Sequence, residues 1–272
     1  MRLNATAAAA GCRLSAHDEL PSTNTQALSL ARRGERGPLW ITARSQTAGR
    51  GRRGNTWLSA PGNLYASLLL VDPARSERAA ELSFVAALAI HDAILDCAPA
   101  LRTRLTLKWP NDVLCDGRKL AGILIEGDMI ERRTLAVAIG MGVNCRLHPA
   151  QTNYPATDLT AVGADIAPES LFWALSAAMV HRLAQWDRGD GFGAIRADWL
   201  ECAAGIGGEV RVRLPDCELT GRSEALDAAG HLLLRLPDGA LRAITAGDVF
   251  PLAAGERTGR LMAQIKGPDG TE

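Results

Sequence analysis

Helices mixed with a mostly consecutive set of strands, then a short all-β stretch, are what this 272-residue sequence predicts. That is an α+β or α/β layer arrangement carrying a small β-barrel or sandwich at its end. Three observations carry the prediction. Amphipathic stretches of helical period and apolar runs of strand length follow one another up to about residue 202. Residues 203–208 (AAGIGG) read as a linker. Beyond them, short apolar runs are broken by Pro215-Asp216, Ala229-Gly230 and Pro237-Asp238-Gly239, as in a small β-module of four or five strands.

Taken in order, residues 1–20 contain an alanine run but no leucine-rich apolar core, so they read as a flexible N-terminal segment rather than a signal peptide. Ser22-Thr23-Asn24 offers hydroxyl and amide caps to a helix over 25–33, and Gly34 stops it. A strand over 39–43 follows. Residues 44–56 lack apolar periodicity, carry three Gly and four Arg, and read as loop. Residues 63–71 predict a strand and 77–97 an amphipathic helix. Strand-like runs follow at 104–108, 112–115, 121–126 and 134–139, with Asp116-Gly117 as a hairpin signal. Residues 168–186 and 192–202 have helical character. The part spanning 21–204 has elements enough for a core of its own. The β-module is expected over 205–254, with strands at 209–214, 219–226, 231–236 and 241–244, and 255–272 as a flexible tail.

Composition excludes several classes. Hydrophobic residues are 47% and charged residues 22%, the balance of a soluble globular protein. Thirty Lys and Arg against thirty Asp and Glu leave no net charge, so any positive field is local. No apolar run approaches the ~20 residues that span a bilayer. The six cysteines are scattered without a C-x-x-C pair and the five histidines are dispersed, so neither a disulfide scaffold nor a protein-held transition metal is expected.

Four segments carry chemistry. In residues 45–54 (SQTAGRGRRG), glycines let backbone amides approach a ligand while guanidinium groups fork onto phosphate or carboxylate oxygens. The alternative is a disordered nucleic-acid contact, against which stand the neutral chain and the position between two strands. Trp57 follows closely and could stack on a flat ring or serve as plain core. In Lys108-Trp109-Pro110-Asn111-Asp112, a strand-end cation precedes a tight turn; Asn111 and Asp112 either stabilise that turn or face a metal-bound phosphate. Lys119-Leu120-Ala121-Gly122 continues into an apolar strand, and a strand glycine marks either a bulge or close approach of a ligand. Ile139-Gly140-Met141-Gly142-Val143-Asn144 resembles a glycine-rich phosphate loop, without the helix that completes a dinucleotide fingerprint.

Together, in this order and over roughly residues 22–144, the segments GRGRRG, KWPND and KLAGIL resemble the biotin protein ligases. That resemblance implies an α+β catalytic domain with a mixed sheet of the biotin/lipoate ligase type, followed by an SH3-like β-barrel. It implies formation of biotinyl-5′-AMP from biotin and ATP, with Mg²⁺ on the nucleotide, and transfer of biotin to a lysine of a biotin carboxyl carrier protein domain. Carried over residue by residue, the catalytic cations are Lys108, Arg50 and Arg52. The biotin-binding set is Ser22, Thr23, Asn24, Gln46, Gly51 and Gly122 with those cations. The ATP and adenine set is Arg52, Arg53, Trp57, Asn111, Lys119 and Asn144, with Asp112 as a metal-facing residue. About twenty residues precede Ser22, too few for the winged helix-turn-helix of ligases that double as repressors, so a monofunctional, cytoplasmic enzyme without nucleic-acid or membrane partners is expected. A lipoate or octanoate ligase of the same fold, and a nucleic-acid binder using the arginine loop, are the alternatives.

Overall fold

Alternation along the central strands sends successive side chains to opposite faces of one sheet, and both faces are covered. In the computed structural model, which describes residues 1–252 except 132, 151 and 153, this sheet has seven strands. They are β1 (Arg13–Leu20), β2 (Leu39–Gln46), β3 (Leu64–Val71), β4 (Leu105–Lys108), β5 (Asp112–Cys115), β6 (Arg118–Ile130) and β7 (Thr134–Val143). Their order is β1-β2-β3-β7-β6-β5-β4, with β1 parallel to β2 and the other neighbours antiparallel. Ile41, Leu69, Ala136 and Ala138 face α2 (Thr23–Arg32), which buries Ala27, Leu28 and Ala31 against them. Trp40, Leu68, Val137 and Ile139 face the other way, onto α3 (Leu82–Cys97) and α4 (Pro168–Trp186). The tight link between β5 and β6 holds Asp116 at φ 50° and Gly117 at φ 70°, the left-handed pair expected of an Asp-Gly hairpin.

Three expectations give way. Residues 1–20 are not a flexible segment: Asn4 caps the short α1 (Ala5–Ala9), its own amide donates to Ser176 Oγ on α4 at 3.0 Å, and β1 follows. An edge strand with mixed polar residues and a single-turn alanine helix carry no apolar period to announce them. The helix expected from residue 77 begins as a 3₁₀ turn over Ser76–Glu81, and α3 proper starts at Leu82. The strand expected at 134–139 runs on to Val143, so Gly140 and Gly142 sit inside a ladder rather than in a phosphate loop.

After α5 (Phe192–Glu201) the chain enters five antiparallel strands: β8 (Glu209–Arg213), β9 (Glu218–Leu226), β10 (Leu232–Arg235), β11 (Leu241–Ile244) and β12 (Asp248–Pro251), in the order β11-β10-β9-β8-β12. The larger part keeps one cluster of its own under α2, but its main core is shared with the module. Val210, Leu226 and Leu232 of the module belong to the same buried cluster as Phe84, Trp109 and Phe192, and Trp109 Nε1 donates to Gly230 O at 2.9 Å. The tail expected at 255–272 lies outside the described residues.

Candidate active site

The N-terminus of α2, the end of β2, the arginine loop, the β4–β5 turn, β6, β7 and one edge of the β-module enclose a cavity of about 860 Å³. One end of it is neutral and hydrogen-bonded. Ser22 caps α2, its Oγ accepting from the Thr25 amide. Thr23 donates through both its amide and its hydroxyl to Gln46 Oε1, at 2.8 and 3.2 Å, and Gln46 Nε2 donates to Ser59 Oγ at 2.8 Å. Asn24 Nδ2 donates to Leu124 O and to Glu126 Oε2, and Ser67 Oγ lies 2.6 Å from Asn24 Oδ1. Glycine on β7 makes room for this: a Cβ on Gly140 would stand 2.5 Å from Asn24 Oδ1.

The other end is ionic. Asp112 is buried between two ammonium groups, with Lys108 Nζ 2.9 Å from Oδ2 and Lys119 Nζ 2.6 Å from Oδ1. Burial alone pushes its carboxyl up, but the two lysines outweigh this and hold it below the usual carboxylate range. Lys108 also donates to Val249 O at 3.3 Å and lies 4.5 Å above the Tyr154 ring. Its side chain is 11% exposed against 27% for Lys119, so Lys119 presents the more open cation to the cavity. The Trp57 indole lies across Gly122 and Gly142, where a Cβ on Gly142 would meet Nε1 at 2.6 Å, with Lys119 Nζ 5.4 Å from the ring.

Each loop arginine has a protein partner. Arg50 grips both oxygens of Glu126 and Thr25 Oγ1. Arg52 donates to Asn111 Oδ1 at 3.3 Å and to Gly247 O at 3.4 Å, and burial lowers its pKa from the ordinary guanidinium value. Arg53, at φ 55°, bonds the Asp248 carboxylate at 3.0 Å and Arg213 O at 3.1 Å.

Every residue carried over from the family resemblance lines this one cavity. The local surroundings of two of them bear on their roles. Asp112 does not present a free carboxylate to a metal, because ammonium groups occupy both its oxygens. Asn144 uses its amide nitrogen on Thr157 O at 3.0 Å, which pins the loop after β7. Among the described residues, no three His, Cys, Asp or Glu side chains come together to hold a metal. Sequence reasoning missed Glu126, Ser67, Tyr154 and the module residues Arg213, Asp248 and Phe250. Glu126 ends a segment already singled out; the others carry no local signal, because folding alone brings them to the site.

A model of the biotin/lipoate A/B protein ligase family matches residues 18–144, and one of the biotin protein ligase C-terminal domain matches 205–250. A biotin–[acetyl-CoA-carboxylase] ligase of Paracoccus denitrificans is 42% identical over 237 residues, covering 84% of this chain and 96% of that one. The chain belongs to the biotin protein ligase family. The bifunctional ligase/repressor BirA of Bacillus subtilis is 30% identical over 86% of this chain and 72% of its own length. A biotin protein ligase from Aquifex aeolicus, solved in complex with biotin and ATP, aligns with a TM-score of 0.74 at 26% identity, over 88% of this chain and 97% of that one. In this family member the first match ends at Asn144, so Tyr154 at the cavity lies outside both matched stretches.

Proposed function

We propose that this chain is an ATP-dependent biotin protein ligase. It joins the biotin carboxylate to the nucleotide α-phosphate with loss of pyrophosphate, then passes biotin to a lysine of a biotin carboxyl carrier protein domain in the cytoplasm. The observation that carries the reading is the polarity of the cavity: a neutral donor–acceptor end beside a cationic end, within about 860 Å³.

A ureido ring is uncharged and needs paired donors and acceptors, which Ser22, Thr23, Asn24 and Gln46 supply at the neutral end. The carboxylate then points toward Lys108, Lys119, Arg50 and Arg52. Two anions must meet there, and the cations lower the barrier by neutralising both and the charge developing at phosphorus. Held by Asp112, the lysines stay in place instead of swinging into water. Adenine takes the end formed by Asn144 and the Trp57 indole, which lies on the Gly122 and Gly142 floor. Magnesium would accompany the triphosphate and screen its charge; Asp112, paired with two lysines, offers it no free carboxylate. The guanidinium groups are engaged inside the protein rather than held out as arms, which favours this reading over nucleic-acid binding.

The test incubates the full chain with biotin, Mg-ATP and an isolated carrier domain, and weighs the carrier by mass spectrometry. One biotinyl group on a single lysine is expected. No gain in mass, with a known ligase modifying the same carrier in parallel, overturns the proposal.

A further inference from the structure

β12 is the last strand of its sheet, so among the described residues the carbonyls along its outer edge have no strand partner. This edge and the residue just before it meet the cations of the larger part instead: Gly247 O accepts from Arg52 at 3.4 Å and Val249 O from Lys108 at 3.3 Å. Between them Asp248 pairs with Arg53 at 3.0 Å, and its charge favours the protonated guanidinium of Arg52. Arg53 makes a second bond to the module, to Arg213 O at the end of β8. Neutral carbonyls yield to phosphate oxygens when a nucleotide arrives, since charged acceptors bind guanidinium and ammonium more strongly. The Asp248 carboxylate is charged and does not yield in the same way.

We propose that Asp248 is a positioning residue: it clamps the arginine loop to the β-module through Arg53, so that loop and module cover the cavity as one unit. Arg53 is then the loop's anchor rather than a nucleotide ligand. Arg52 and Lys108 exchange the Gly247 and Val249 carbonyls for substrate oxygens while the clamp holds. Retention of the acyl-adenylate depends on a residue of the small module, a consequence that rests on the ligase reading.

The test compares wild type with Asp248→Asn, Asp248→Glu, Arg53→Gln and the Asp248→Asn/Arg53→Gln double variant, each checked by circular dichroism for a native spectrum. Without substrate, hydrogen exchange of the amides of residues 50–57 should quicken about two- to fivefold in Asp248→Asn, the range a partly exposed ion pair supports. Asp248→Glu should return toward the wild-type rate. The double variant should be no faster than either single one, because both remove the same contact. With biotin, Mg-ATP and carrier, the ratio of adenylate released to adenylate transferred should rise by a similar factor in Asp248→Asn. Unchanged loop exchange in Asp248→Asn and Arg53→Gln overturns the clamp, as does a double variant whose effect is the product of the two. Loop exchange needs no ligase activity, so a wild type that forms no adenylate sinks the ligase reading and leaves the clamp judged on exchange alone.

Discussion

The two ends of the cavity are built by different means. At the neutral end, Thr23, Gln46, Ser59, Asn24 and Ser67 stand on α2, β2, β3 and the segment just before β3, and bond one another over distances of 2.6–3.2 Å. At the ionic end, beyond the local Lys108–Asp112–Lys119 set, the partners lie far apart in sequence: Arg52 with Gly247, Arg53 with Asp248, Lys108 with Val249. The first end is a preformed mould, set by strand register. The second is a set of charges held by other charges and by backbone carbonyls, on a loop, a turn and the edge of the module. Recognition of a neutral ring needs fixed geometry, whereas chemistry on two anions needs cations that can change partners. The difference predicts that damage at the ionic end costs rate and stability together, while damage at the neutral end costs affinity.

Removing Asp112 strikes hardest. Asp112→Asn leaves two neighbouring ammonium groups without their shared counter-charge, at a cost of about 3–5 kcal/mol in unfolding free energy. Denaturant titration measures it. The wild-type contribution has a pH signature. The folded carboxyl sits below its unfolded value of about 3.9, so the stabilisation is present above that pH and lost as pH falls toward the folded value. The variant should lack that part of the acid dependence. A loss under 1 kcal/mol would show that the lysines do not need the carboxylate.

Next come the lysines. Lys119→Ala and Lys108→Ala should each slow adenylate formation by about 2.7–4 kcal/mol in barrier, roughly a hundred- to a thousandfold. Lys108 is the more buried and bonds the module as well, so its loss should also lower the unfolding midpoint more than that of Lys119. Equal thermal shifts would break the distinction drawn between them.

A smaller effect is expected from Arg52→Gly. It removes the bonds to Asn111 and Gly247 and should weaken hold on the intermediate by about 1.5–3 kcal/mol. The variant still makes adenylate and sheds it onto bystander lysines, seen by blotting albumin for biotin. Labelling at the wild-type level, with synthesis intact, would remove Arg52 from the cover.

Gly140→Ala sharpens the contrast from the other side. Its Cβ pushes on the Asn24 carboxamide, and overpacking of about 1–3 kcal/mol should appear as weaker biotin binding in calorimetry, with ATP binding little changed. A larger loss for ATP than for biotin would reverse the assignment of the two ends.

How far the sequence could be read follows the same division. Strong apolar period exposed β3, α4 and the Asp-Gly hairpin, because local sequence decides them. β1 and α1 were hidden, being an edge strand with mixed polar residues and a one-turn helix anchored by Asn4 to Ser176 some 172 residues away. β12, at the edge of its sheet, was not singled out, and with it went Asp248. Gly140 and Gly142 misled in a useful way: their freedom serves Asn24 and Trp57 inside a ladder, and no phosphate loop forms. Asp112 has a lysine on each oxygen because Lys119, seven residues on, returns to it across the hairpin.

Biotin-dependent exchange of labelled pyrophosphate into ATP tests the central claim most directly, run on the full chain with biotin and lipoate side by side. The account predicts label in ATP with biotin present, and none above background with lipoate or with neither acid. Exchange that proceeds without biotin, or equally with lipoate, would contradict it.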